Sequence, residues 1–236
     1  MSKSINMETN STNMLTSLNL IKNVPPSAYY VPNFITDNEE DELMKHVSSC
    51  PLPKWTQLSN RRLQNWGGIP HQKGMIAEEI PKWLKKYMDR ISSLNIFSND
   101  KLPNHVLINE YLSGQGIMGH TDGPLFHPIV TTISCGSHTL LEFTKRLDTE
   151  ENQRQLKPEF SFLLERRSLL VLQDTLYHDY LHSISECNYD TIESSYIRNL
   201  NLCSIKYEES EKLNRETRIS LTIRHVPKTS KLKLKF

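Results

Sequence analysis

The sequence predicts an α+β protein: a jelly-roll β-sandwich of many short strands, with N-terminal helices packed on one of its sheets. Three observations predict it. From about residue 104 the chain breaks into short runs rich in Val, Ile, Leu and Thr, separated by turn residues, which is the texture of a sandwich. Ahead of these runs, Pro81 opens a segment in which Trp83, Leu84, Tyr87, Met88, Ile91 and Leu94 recur at helical steps, so the apolar stripe needs a sheet to cover it. Near the C-terminus, Thr217 to Val226 alternates strictly, with Arg218, Ser220, Thr222 and Arg224 on one face and Ile219, Leu221 and Ile223 on the other.

With 236 residues the chain can hold one sizeable core plus an N-terminal extension. Its formal net charge of +1 excludes a protein that coats nucleic acid or membranes through its overall field, so any basic footprint is local. Cys50, Cys135, Cys187 and Cys203 form neither a C-x-x-C pair nor a disulfide framework, which reads as reduced thiols in an intracellular protein of the cytoplasm or nucleus. Residues 1–24 are rich in Ser, Asn and Thr and lack the apolar core of a secretory signal; a disordered tail is expected. No run approaches the roughly 18 apolar residues of a transmembrane helix, so no membrane partner is expected.

An N-terminal extension is expected over residues 25–102. In it, Thr36 with Glu39 reads as a capping box that starts a helix of about a dozen residues, with Leu43, Met44 and Val47 on its apolar face. Lys54 to Gly68 holds Trp55, Arg61, Arg62 and Trp66 and ends in Gly-Gly, a turn-rich hairpin. The sandwich domain is expected over residues 103–228. Its strands are His105 to Leu112, Ile129 to Cys135, His138 to Thr144, Phe160 to Glu165, Ser168 to Gln173 and Thr217 to Val226. Lys145 to Glu159 and Ser183 to Glu216 are long and polar, and are expected to be surface insertions. Residues 229–236 end in Lys-Leu-Lys-Leu-Lys-Phe, a basic tail.

The residues that point to chemistry are His120 and Asp122, one position apart after the turn Ser-Gly-Gln-Gly. In an extended segment residues two apart point the same way, so an imidazole and a carboxylate converge. A third imidazole from a distant strand completes the two-His-one-carboxylate set that holds iron(II) with open positions. That role is assigned to His182, with His178 four residues earlier as the competing candidate. A His-x-Asp pair also arises by chance; its weight here comes from the alternating C-terminal strand. Two arginines on an inward polar face are costly unless they meet anions, and a dicarboxylate supplies them in the bidentate geometry a guanidinium favours. Asn109 and Tyr111, two apart on a predicted strand, add neutral hydrogen-bonding groups.

Asn109-x-Tyr111, His120-x-Asp122, His182, and Arg218-x-Ser220 with Arg224 together resemble the AlkB-like Fe(II)/2-oxoglutarate-dependent dioxygenases over most of residues 27–227. Pro53-Lys-Trp-Thr-Gln-Leu-Ser, Leu63-Gln-Asn-Trp-Gly-Gly, Gly116-Ile-Met and Thr132-Ile-Ser-x-Gly-Ser-His are similar to the AlkB homologue 6 subfamily. The resemblance implies a double-stranded β-helix, with iron(II) on His120, Asp122 and His182 and with 2-oxoglutarate and O2 as cosubstrates. By the same resemblance Arg218 binds the C5 carboxylate, Arg224 lies near the C1 end, and Asn109 and Tyr111 contact the cosubstrate. Ser220 stands where the bacterial prototype carries Asn. The implied reaction oxidises a carbon–hydrogen bond and, on an N-methyl group, releases formaldehyde.

The resemblance also places a nucleotide lid at Lys54 to Gly68. Trp55 and Trp66 would then stack on a base while Lys54, Arg61 and Arg62 hold phosphates, which makes alkylated DNA or RNA the expected partner. The tryptophans have an equally good reading as core caps beside the Trp83 helix. Hydroxylation of a protein or other substrate, and nucleic-acid binding with little turnover, are the competing functions. Cys135 reads as a small core residue, and His105, His127 and His138 as packing or solvent contacts.

Overall fold

The alternating segment near the C-terminus becomes the middle of a large sheet, and the rest of the chain is layered on its two faces. The computed structural model describes Leu15, residues 19–147 and residues 157–230. In chain order its elements are β1 (Ala28–Val31), α1 (Asp37–Ser48), β2 (Thr56–Gln57), β3 (Arg62–Trp66), β4 (Met75–Ile76), α2 (Lys82–Ser92), β5 (His105–Tyr111), β6 (Ile117–His120) and β7 (Ile129–Cys135). They continue with β8 (Thr139–Lys145), β9 (Phe160–Leu164), β10 (Leu169–Gln173), α3 (Asp174–His178), β11 (Tyr180–Ile184), β12 (Tyr189–Thr191), β13 (Lys212–Asn214), β14 (Arg218–Arg224) and β15 (Thr229–Ser230). A seven-stranded sheet in the order β1-β10-β7-β14-β5-β3-β2 faces a four-stranded sheet in the order β6-β11-β8-β9. Each neighbouring pair within these two sheets is antiparallel.

Period-two alternation sorts the large sheet into two surfaces. Ile219, Leu221 and Ile223 of β14, with Val106 and Ile108 of β5 and Ile133 of β7, pack against Leu43 and Val47 of α1 and Leu84, Tyr87 and Ile91 of α2. The opposite surface meets the small sheet through Tyr111, Val130, Leu170 and Leu172 against Phe143, Phe160, Phe162 and Tyr180. Helix α1 begins at the expected capping box: the Thr36 hydroxyl accepts from the Glu39 amide, and the Glu39 carboxylate accepts from the Thr36 amide. Glu40, only 1% exposed, is a buried carboxylate of α1 that accepts from the Gly136 amide and the Arg166 guanidinium. No described helix is long and apolar enough to cross a membrane.

Several expectations are corrected. Strands β1, β2 and β3 of the N-terminal extension belong to the same sheet as β5, β7, β10 and β14, so residue 102 is not a structural seam. The tail expected over 1–24 is held at its end: Ile21 is buried and its amide donates to the Ala28 carbonyl, while Leu20 bridges Tyr29. Residues 1–14 and 16–18 lie outside the described residues. In the basic tail, Thr229 and Ser230 pair in parallel with Met75 and Ile76, and residues 231–236 lie outside the described residues. Of Lys145 to Glu159, residues 148–156 lie outside them as well.

The stretch from Ser183 to Glu216 is part of the architecture. Ser183 and Ile184 complete β11, β12 and β13 form a hairpin, and Ile192 and Ile197 close a third apolar cluster on Leu140 and Leu163. Its polar residues are used internally. Arg215 forks onto Asp190 at 2.6 and 2.7 Å and donates to the Ser185 carbonyl, and the buried Glu165 accepts from Ser204, Tyr207 and Tyr30. The sequence looked like an insertion because this mini-core needs few apolar residues.

Burial alone would raise the Asp190 carboxyl, but His138 and Arg215 outweigh it and hold it below its ordinary range. Its stabilisation is therefore present above the unfolded carboxyl's pKa of about 3.9 and is lost as pH falls through the lower folded value. Asp190→Ala strands a buried guanidinium and is expected to cost about 3–5 kcal/mol. A urea-unfolding series at neutral pH and below about pH 4 checks both statements, because the deficit of the variant shrinks in acid.

Candidate active site

One cavity of about 220 Å³ opens between the two sheets, and it collects the residues singled out in the sequence. Its wall includes Asn109 and Tyr111 of β5, His120 at the end of β6, Asp122 in the turn beyond, His182 of β11, and Arg218, Ser220 and Arg224 of β14. Backbone register produces this assembly. Strands β14 and β5 pair Arg218 with Tyr111 and Ser220 with Asn109, so alternate residues of both strands share the cavity face. Across the small sheet, β11 and β6 pair His182 directly with His120.

The imidazoles of His120 and His182 lie with ring centroids 4.4 Å apart. A close approach keeps them there: a Cβ on Gly116, just ahead of β6, would sit 2.2 Å from the Ile184 carbonyl oxygen at the end of β11. His178, the competing candidate, is exposed at the end of α3 and does not line the cavity. The Met118 carbonyl lies 2.9 Å from His120 Nδ1 and can only accept, so Nδ1 carries a proton and Nε2 is the ring atom left for a ligand. Burial, with His120 adding to it, pushes the His182 imidazole down to about 4, so it is neutral at physiological pH.

Burial acts to raise the Asp122 carboxyl, yet Arg224, His182 and His120 outweigh it and keep it lowered and ionised. Its Oδ1 accepts from Arg224 Nη1, and its Oδ2 lies 3.9 Å from His182 Nε2. Among the described residues no three His, Cys, Asp or Glu side chains are drawn close enough to cage a metal as they stand. The donor types nonetheless fit iron(II): two imidazoles and one carboxylate.

The far wall has the opposite character. Arg218 is 4% exposed, and its Nη2 donates to Ser134 Oγ at 2.8 Å while its Nε finds no partner among the described residues. Burial pushes the guanidinium down to about 10, which leaves it charged at neutral pH. A buried cation with one neutral bond and one orphaned donor is a seat for an anion. Arg224 Nε is likewise without a partner, and its guanidinium lies 3.7 Å from the centroid of the Phe126 ring. Ser134 and Phe126 were not singled out in the sequence. Ser134 was signalled by alternation, being two residues beyond Thr132 on the cavity face of β7, whereas Phe126 sits in a loop that offers no period to read.

The hairpin residues divide by parity. On β3, Arg62, Gln64 and Trp66 point to the helix side: Arg62 forks onto Glu110 and lies over Trp55, Gln64 donates to the Val47 carbonyl, and Trp66 meets Trp83 edge-on. Lys54 covers Trp66 at 4.1 Å. Neither Trp55 nor Trp66 lines the cavity; both pack on the helix-side core, as the second of their two readings has it. Arg61, one position off, faces the other way, lines the cavity and donates from Nε to Asn109 Oδ1 at 3.1 Å.

A model of the 2OG-Fe(II) oxygenase superfamily matches residues 37–224. Over 217 residues the chain is 49% identical to a Danio rerio protein named probable RNA/DNA demethylase ALKBH6, with 89% of each chain covered. It is 26% identical over 204 residues to uncharacterized protein L905 of Acanthamoeba polyphaga mimivirus, with 84% of each chain covered. The solved structure of OsALKBH1 shares the fold, with a TM-score of 0.56 at 15% identity over 86% of this chain and 99% of that one. The family model takes in every strand that lines the cavity, and the chain belongs to the 2OG-Fe(II) oxygenase superfamily, whose members use iron(II), 2-oxoglutarate and O2.

Proposed function

We propose that this dioxygenase removes N-alkyl groups from DNA or RNA by oxidation, with His120, Asp122 and His182 holding the iron and Arg218 seating 2-oxoglutarate. The observation that carries this reading is the pairing, in one cavity, of two imidazoles beside an ionised carboxylate with a buried guanidinium that meets no carboxylate among the described residues. The kinship with a probable RNA/DNA demethylase supports the substrate class.

Iron(II) bound by the three side chains supplies the oxidation of a carbon–hydrogen bond by O2, coupled to the conversion of 2-oxoglutarate into succinate and carbon dioxide. The residues of the chain arrange everything else. Arg218 offers its fork to the C5 carboxylate, and the Ser134 hydroxyl fixes the plane of that fork from behind. Asn109, Tyr111 and Ser220 flank the same seat, and Arg224 lies beside Asp122 at the end where the C1 carboxylate would approach the iron. Leu107, Val130, Leu141, Leu164 and Leu172 line the cavity with apolar surface that excludes water and strengthens these charge contacts. Once an N-methyl group is hydroxylated, the product releases formaldehyde as its N–C bond breaks and a proton returns to nitrogen. In this reading the β2–β3 hairpin serves as the nucleotide lid, over a base that is flipped out or already single-stranded.

The test is mass spectrometry of methyl loss from N-methylated single- and double-stranded DNA and RNA oligonucleotides, with succinate followed in the same samples. Methyl loss with matching succinate is expected from the wild type and neither from His120→Ala. Succinate without methyl loss on any oligonucleotide would sink the nucleic-acid reading and leave the oxygenase. A second expectation concerns the cosubstrate alone. Arg218→Ala should raise the KM for 2-oxoglutarate about 10- to 100-fold, the worth of a charged hydrogen-bond pair, and Arg218→Lys should recover little because lysine cannot fork.

A further inference from the structure

We infer that Tyr177 is a positioning residue for the iron site: its phenol holds the backbone beside Asp122 and so fixes where that carboxylate can point. The inference rests on the assignment above of the iron to His120, Asp122 and His182.

Two of those three residues are placed by a ladder. His120 and His182 stand opposite each other on β6 and β11, whose pairing fixes both backbones. Asp122 lies beyond the end of β6, on a turn. Among the described residues no backbone–backbone hydrogen bond engages residues 122–126, and the next one along the chain runs from the His127 amide to the His225 carbonyl. Gly123 takes a φ of +88°, which glycine adopts freely and other residues rarely, and a Cβ there would meet nothing within 4 Å. The turn is therefore set by conformation and not by close packing at this point. Its carboxylate is only as fixed as whatever holds the loop.

Two side chains hold it. Arg224 donates to the Asp122 carboxylate and carries the Phe126 ring against its guanidinium, a grip on side chains that leaves the main chain free. Tyr177 grips the main chain, its hydroxyl donating to the Gly123 carbonyl at 3.0 Å. Fixing the carbonyl of the adjacent residue limits the φ and ψ left to the turn, and with them the direction in which the Asp122 side chain leaves the backbone.

The phenol comes from a well-anchored place. Helix α3 is short, but Leu176 is buried within it, the Leu176 amide donates to the Pro26 carbonyl, and Asp174 accepts from Ser27 Oγ at 2.7 Å. Asp179, just past the helix, gives its carbonyl to the Arg146 amide. The chain then enters β11 and reaches His182. One segment thus carries an iron-binding imidazole and, five residues earlier, the hydroxyl that ties down the loop of the iron-binding carboxylate. Groups that orient metal ligands from behind are worth about 10- to 100-fold in metal affinity when removed.

The experiment titrates Mn(II), a redox-stable stand-in for iron(II), into the metal-free protein by calorimetry, for the wild type, Tyr177→Phe, Tyr180→Phe and Asp122→Ala. Tyr180→Phe is the control, because it removes a phenol on the same segment that is bonded to Glu159 and not to the loop. Urea midpoints and the KM for 2-oxoglutarate at saturating iron are measured alongside. Tyr177→Phe is expected to weaken Mn(II) binding about tenfold, with the KM within about twofold of the wild type and the urea midpoint no lower than that of Tyr180→Phe. Mn(II) binding by Tyr177→Phe equal to the wild type would overturn the inference. An equal loss in Tyr180→Phe, or a loss that tracks a lowered urea midpoint, would overturn it too, by making the phenol part of the general packing. If Asp122→Ala binds Mn(II) as tightly as the wild type, the iron assignment itself fails; loss in Asp122→Ala without loss in Tyr177→Phe sinks the role of Tyr177 alone.

Discussion

Two guanidiniums buried on one face of β14 are the constraint around which this protein is arranged. Burying a cation is costly unless it is paired, and Arg218 and Arg224 each keep an Nε without a partner among the described residues. That cost is tolerable only because the other face of the same strand is fully apolar and packed under two helices, which fixes the register of the sheet. A slip of one residue would place Ile219, Leu221 and Ile223 in the cavity and the arginines in the core. The hydrophobic layer and the charged layer thus specify each other. Asp122 completes the arrangement by holding Arg224 from the loop beyond β6, so the carboxylate that would face iron is positioned by the arginine that would face the cosubstrate.

How much of this was legible in the sequence depended on whether a local period survived. The capping box at Thr36, the stripe from Trp83 to Ile91 and the alternation from Arg218 to Arg224 were readable because each repeats at the period of its element. Strands β1, β6 and β11 were not, although β6 and β11 carry both histidines. Ile-Met-Gly-His and Tyr-Leu-His-Ser-Ile are short, and each is interrupted by the polar residues its function needs. Chemistry still revealed them: a His and an Asp two apart make sense only in extended backbone. Glu40 escaped notice for a different reason. On α1 it sits among other acidic residues, and only tertiary packing shows that it alone turns inward to meet Arg166 and the Gly136 amide.

The segment after β11 shows how composition can mislead. From Ser183 to Glu216 the chain is polar enough to pass for a surface loop, yet its polar groups satisfy one another: Arg215 with Asp190, and Ser204 and Tyr207 with Glu165. Paired in this way, they let a small apolar cluster of Ile192, Ile197, Leu140 and Leu163 close over the outside of β8 and β9. Strand β11 is thereby held between β8 and β6, and His182 inherits that rigidity. The extra chain braces the small sheet from the side away from the cavity.

The hairpin carries the same logic down to a single residue of parity. Arg61 and Arg62 are indistinguishable by composition, and a reading of charge alone assigns both to a partner's phosphates. Pairing with β5 separates them, because Arg62 stands opposite Glu110 on the helix face and its neighbour must therefore stand on the cavity face. Trp66 shares the parity of Arg62 and is committed to Trp83, while its own indole N–H is used by Gln64. The hairpin is thus structural on one side and open to chemistry on the other. An aromatic residue in such an element is no sign of a base-stacking platform until its register is known, and here register turns Trp66 to the helix side and leaves Arg61 on the cavity face.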